Sequence, residues 1–120
     1  MKLAITSQGP DLDSLIYVRF DMARYFIVFD TDSGEFTTHD NAENRDGYQE
    51  SAHQAAKVLR NMGVDAVLTC TIGPRALAVF QRGDVEVYVC DIGSVRNAVE
   101  QFRAGRLHSA AKPNVGAHLM

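Results

Sequence analysis

The sequence predicts an α/β domain: a mixed five-stranded sheet with helices on both faces, in the order βββαβαβα. Two observations predict it. Short apolar runs rich in branched and aromatic residues, bounded by Gly, Asp, Asn and Ser, mark the strands. Apolar stripes at helical spacing appear only in the second half, where strand and helix alternate. Alternation of that kind makes parallel strands joined by right-handed crossovers. A chain of 120 residues, 46% hydrophobic and 22% charged, is long and apolar enough for one domain with a real core.

The elements follow in order. Lys2 to Thr6 is a short apolar strand, expected at the sheet centre. Ser7 to Leu15 is a loop broken by Gly9 and Pro10. Arg24 to Asp30 is the strongest strand, with Tyr25, Phe26, Ile27, Val28 and Phe29 in succession. Thr31-Asp32-Ser33-Gly34 turns the chain into a hairpin whose second strand is Glu35 to His39, with His39 expected exposed. Asp40 to Gly47 is polar and reads as a flexible loop. Ala52, Ala55, Ala56, Leu59 and Met62 make one helical stripe, and Gly63 stops it. Val64 to Cys70 is a buried strand, Pro74 to Arg82 a helix stopped by Gly83, and Val85 to Cys90 another strand. Ser94 caps the last helix, Val95, Ala98, Val99 and Phe102 form its buried stripe, and Gly105 ends it. The domain is expected over residues 1–107, with 108–120 a mobile tail.

Composition excludes several classes. A net charge of −3 argues against generic nucleic-acid binding. No apolar run approaches the ~20 residues that cross a bilayer. Met1-Lys2-Leu3-Ala4-Ile5 is too short for a signal peptide. The expectation is a cytoplasmic monomer with no nucleic-acid or membrane partner. Cys70 and Cys90 form neither a CxxC pair nor a zinc spacing, so free thiols in a reducing compartment are expected.

The chemistry concentrates in Leu68-Thr69-Cys70-Thr71-Ile72-Gly73-Pro74-Arg75-Ala76. Here a buried strand runs through a glycine turn into a helix that opens on proline. Such a junction aims backbone N–H groups and the positive end of a helix dipole at one spot. Gly73 and Pro74 serve as fold punctuation, a turn and a first helical position. They serve equally as an anion seat, because the Arg75 fork offers several donors to a multi-oxo or multi-sulfido anion. Cys70 and Cys90 each end a parallel strand. If those strands are neighbours, both thiols lie at the carboxyl edge, where open α/β sheets bind ligands. Small packing residues are the plainer reading of both. A two-metal nuclease would need clustered carboxylates. Lys2 to Thr6 carries none, Asp65 starts its strand at the wrong edge, and Asp91 stands alone near the right one. Nuclease chemistry is not expected.

A family resemblance adds to this. Leu12-Asp13-Ser14 with Arg19-Phe20, then Ala23-Arg24-Tyr25-Phe26, Gly63-Val64-Asp65-Ala66-Val67 and Ile72-Gly73-Pro74-Arg75-Ala76 follow one another in a distinctive order. Val95-Arg96-Asn97-Ala98-Val99 with Phe102 and Gly105 completes it. In order and spacing these pieces resemble the dinitrogenase iron-molybdenum cofactor biosynthesis proteins, over the chain up to Leu107. One departure is Asp21-Met22 after Arg19-Phe20, where the family often has glycine. The resemblance implies a ribonuclease-H-like three-layer fold and a binding protein, not an enzyme. Within the family the chain is most similar to the molybdenum–copper cluster proteins of sulfate-reducing bacteria. That implies storage or transfer of a non-covalently held, anionic molybdenum–copper sulfide cluster, with an iron-molybdenum cluster or precursor as the alternative cargo. Such a cluster brings its own sulfide, so direct coordination by the protein is not required; His53 or Cys70 would supply it if any residue did.

The residues expected at the cluster are Thr69, Cys70, Thr71, Ile72, Gly73, Pro74 and Arg75, joined by His53, Arg19, Met22 and Lys112. His53 starts the first long helix off its apolar stripe, and a solvated surface histidine is its plain reading. Arg19 adds positive charge, and Met22 a thioether or an apolar wall. Lys112, with His108 and His118, sits in a tail that reads either as an ordinary polar end or as a lid. Ile72 would exclude water. Two rivals stand beside the carrier reading: a protein-docking module without a cofactor, and a small enzyme with Cys70 as nucleophile and His53 as base.

Overall fold

The computed structural model describes residues 1–42 and 51–112. Most of the expected loop Asp40–Gly47, and His118 in the tail, lie outside the described residues. Six strands form one sheet: β1 (Lys2–Ser7), β2 (Tyr25–Asp30), β3 (Phe36–Asp40), β4 (Ala66–Thr69), β5 (Glu86–Val89) and β6 (His108–Ser109). Their spatial order is β3-β2-β1-β4-β5-β6. Among the described residues the main helices are α1 (Ser51–Asn61), α2 (Pro74–Arg82) and α3 (Val95–Arg103).

β1 is the pivot. It pairs antiparallel with β2 and parallel with β4, and β4 pairs parallel with β5. Leu3, Ala4 and Ile5 are fully buried, because both faces of the sheet are covered. The two-residue alternation of strands divides the core in two. Ala4, Val28, Val67 and Val87 pack with Ala55, Ala56 and Leu59 of α1 and Leu77 and Phe80 of α2. Leu3, Ile5, Ile27, Phe29 and Leu68 pack on the other face with Val95, Ala98 and Val99 of α3. Each such aliphatic side chain contributes about 1.5–3 kcal/mol of transfer free energy. β3 is the edge strand and is polar (Thr37, Thr38, Asp40), as an edge must be to resist further pairing. Its His39 is half-buried instead of exposed.

The α/β class and the helices on both faces are as the sequence predicts. The strand count is corrected from five to six. His108 and Ser109, assigned from sequence to the tail, pair antiparallel with Val89 and Tyr88 of β5. Ala110 N then donates to Val87 O at 2.7 Å. The outer edge of β5 presents main-chain groups that need partners, and any extended segment can supply them. A two-residue strand made by backbone alone leaves no periodicity in the sequence.

The helix ends follow the sequence closely. Gly63 and Gly105 take φ values of +79° and +71°, the left-handed conformation that ends a helix cheaply only with glycine. Ser94 caps α3, its Oγ accepting from Asn97 N at 3.0 Å. Ser94→Ala should therefore cost about 1 kcal/mol, read as a lower urea midpoint at unchanged slope. An unchanged midpoint would remove the cap from the stability account.

Candidate anion-binding site

Residues 8–20 return across the carboxyl ends of the strands. Tyr17 N donates to Thr6 O (3.0 Å), Ile16 N to Gly93 O (2.8 Å), Thr71 N to Val18 O (2.8 Å) and Phe20 N to Thr71 O (3.0 Å). This backbone strap roofs the crevice between β1 and β4. That crevice is where the chain order reverses and where open sheets usually admit ligands. The hydroxyls beneath hold the strap in place. Thr6 and Thr69 are fully buried; Thr6 Oγ1 donates to Tyr17 O (2.8 Å), and Thr71 Oγ1 to Val18 O (3.1 Å). Ile72 is 1% exposed and belongs to the core under α1 and α2. Arg19 is on the surface, paired with Asp21 at 2.7 Å, and Met22 closes a 3-10 turn, Phe20–Met22. The strap thus takes the space directly over the switch point.

Beside it lies a groove. His53, Pro74, Arg75, Ala78 and Arg82 line an open depression of about 430 Å³ between α1 and α2. The two helices run parallel: His53 and Pro74 meet at their starts, and the Arg60 stem lies over Gly83 at their ends. A Cβ at Gly83 would meet the Arg60 stem, which would have to shift aside. Gly73 is the extended residue from which α2 starts, and Pro74 occupies its first turn. The helices carry Lys57, Arg60, Arg75 and Arg82 and no carboxylate, in a chain of net charge −3. This layer is therefore locally cationic. The positive end of the α2 dipole opens into the same groove.

Two other depressions differ in charge. One of about 260 Å³ beside the β2–β3 hairpin is lined by Asp30 and Glu35 as well as Lys2. The N–H of Asp32, 2.8 Å from Asp30, holds that carboxyl below its ordinary range and so keeps it anionic. The other, about 520 Å³, opens at the end of β5 and is lined by Cys90, Asp91, Asn97, Gln101, Arg106 and His108 among others. Neither concentrates cations as the α1–α2 groove does.

The cysteines follow the conditional expectation. Thr69 pairs with Val89, and Cys90 N donates to Thr69 O at 3.0 Å, so Cys70 and Cys90 stand at successive register ends of neighbouring parallel strands. Neither is in a disulfide. Both pack into the cluster under α3, on the sheet face opposite the α1–α2 groove. The hydrogen bond between the two thiols draws Cys70 below its ordinary value and pushes Cys90 up, and the deeper burial of Cys90 adds to its rise.

The structure thus brings His53, Pro74 and Arg75 together and parts Cys70 from them. Lys112 is exposed. Because β6 runs antiparallel to β5, it carries the chain away from the carboxyl edge; Gln81 Nε2, at the far end of α2, donates to Ala111 O (3.2 Å). Lys112 therefore lies toward the opposite edge and does not line the groove. Sequence reasoning missed Arg82. The signal was present: from Ser51 to Arg82 the chain has one carboxylate, Asp65, and it lies outside both helices.

A six-stranded mixed sheet with helices on both faces and a groove lined by His53, Arg75 and Arg82 describes an α/β protein with a cationic candidate site. Comparison with known proteins makes the class specific. The model of the dinitrogenase iron-molybdenum cofactor family matches residues 1–105, and the chain belongs to that family. The apo form of the orange protein from Desulfovibrio gigas superposes with a TM-score of 0.90 at 33% identity, covering 95% of this chain and 96% of that one. A putative NifB protein from Thermotoga superposes at 0.84 with 29% identity, covering 97% and 98%. An uncharacterized protein of Methanocaldococcus jannaschii is 28% identical over 109 residues, 89% of each chain. The family's description ties it to the iron-molybdenum cofactor of dinitrogenase. Among the described residues no helix is long and apolar enough to cross a membrane.

Proposed function

We propose that the chain stores or carries an anionic molybdenum-containing metal–sulfide cluster, with molybdenum–copper sulfide as the first candidate and an iron-molybdenum precursor as the second. The α1–α2 groove carries this reading: His53, Arg75 and Arg82 converge there with no carboxylate on either helix. The donor set fits such a cargo. A cargo that brings its own sulfur suits a chain in which, among the described residues, no group of three or more His, Cys, Asp or Glu is placed to hold a bare metal ion. Charge and N–H donors then hold it from outside. Arg75 and Arg82 balance its charge in a fork geometry suited to several sulfides, and His53 donates from α1. Contacts of this kind exchange without breaking a coordination bond, which suits transfer to an acceptor protein. On this reading the protein is a cytoplasmic monomer with no catalytic step, and the ribonuclease-H-like sheet order carries no nuclease chemistry.

The test is direct. Anaerobic protein mixed with tetrathiomolybdate and Cu(I), then passed through gel filtration, should elute coloured with molybdenum bound in a fixed ratio. Colourless, metal-free protein would overturn the carrier reading and leave the docking-module alternative.

A further inference from the structure

We propose that Cys70 and Cys90 form a second site, a two-thiolate clamp for one soft monovalent cation such as Cu(I), on the α3 face of the sheet. The placement is fixed by backbone. The Thr69–Val89 register and the Cys90 N to Thr69 O bond at 3.0 Å put the two residues side by side on neighbouring strands. Adjacent strands lie about 4.8 Å apart, within reach for two sulfurs to share one ion. Two-residue alternation sends both side chains to the same face, where they join Leu68, Tyr88 and Phe102. The site is open to solvent on one side: Cys90 lines the depression of about 520 Å³ with Asp91, Asn97 and His108, and Cys70 is half-buried.

The donor set selects the ion. Two thiolates do not fill the four-coordinate shell of structural zinc, and no third His, Cys, Asp or Glu joins them among the described residues. Soft sulfur with low coordination number favours Cu(I) over hard or higher-coordinate cations. On binding, two S–Cu bonds form, both thiol protons pass to water, and copper stays Cu(I). No electron moves. The site lies across the sheet from the anion groove, so the two can fail separately.

Reduced full-length protein, kept under argon, should take one Cu(I) per chain from a coloured chelator such as bicinchoninate, with a new ultraviolet sulfur-to-copper band. Cys70→Ser and Cys90→Ser should each lose both signals. Cys90→Ala, which suits the buried position, and a circular-dichroism check guard against misfolding as the cause. The Arg75→Ala/Arg82→Ala double variant should bind Cu(I) as before, although it should bind tetrathiomolybdate more weakly than the native protein. If the reduced protein leaves all copper with the chelator, or if either cysteine variant binds normally, the clamp is wrong.

Discussion

Replacing Arg75 and Arg82 together by glutamate is expected to lower affinity for tetrathiomolybdate or the assembled cluster by roughly ten- to a hundred-fold, about 1.4–2.7 kcal/mol. Both side chains are exposed, so each interaction is screened and modest alone. Reversal shifts the groove by four charges against a multiply charged anion, and the small terms add. The same logic predicts salt dependence. The Debye length falls from about 10 Å at 0.1 M to about 3 Å at 1 M, so binding to the native groove should weaken steeply across that range. Binding to the reversed groove should be weak and nearly flat. An absorption titration at several salt concentrations measures both. Salt-independent binding to the native protein would point to coordination, and undiminished binding to the double variant would move the site elsewhere.

How far the sequence could be read depends on what kind of interaction made each feature. Strands and helices whose side chains face a core announce themselves by period. The predicted span Pro74–Arg82 is the observed helix, and the Ser94 cap and the Gly63 and Gly105 stops are where the residue types place them. β6 does not announce itself, because His108 and Ser109 pair through backbone and both stay exposed. The site divides in the same way. Gly73-Pro74-Arg75 was legible because a glycine turn and a first-turn proline have local causes. Arg82 was not, because it meets His53 only through the packing of α1 on α2. The neighbours of the glycine turn are placed differently: Thr69 and Ile72 are close in sequence but lie buried, the one under the strap and the other in the core. Neighbourhood along a chain puts residues near one point, and the alternation of strand faces then sends them to opposite sides. Cys70 shows this most plainly, four residues from Pro74 and on the other face of the sheet.

Phe20→Ala is expected to be among the most damaging single substitutions. Phe20 is 1% exposed at the end of the strap. Its ring lies 5.3 Å from that of Phe26 on β2 and meets that of Phe80 on α2 edge-on at 5.5 Å. Truncation removes the transfer free energy of the ring, leaves a cavity, and breaks two aromatic contacts, costing about 3–5 kcal/mol. Domains of this size have a total stability of about 5–15 kcal/mol. At about 4 °C per kcal/mol the melting temperature should fall by about 12–20 °C. The damage should also reach the groove. Phe20 N bonds Thr71 O, so the ring anchors the segment that leads into Gly73 and Pro74. At a temperature where the variant remains folded, its affinity for the anion should still fall, because α2 is no longer held at its start. A control separates the two effects. Ile72→Val trims the same core by one methylene, should cost only about 0.5–1.5 kcal/mol, and leaves the strap contacts intact. Its anion affinity should match that of the native protein. A melting temperature for Phe20→Ala within a few degrees of native would show that the strap is not anchored through this ring, and equal anion affinity in both variants would uncouple the groove from it.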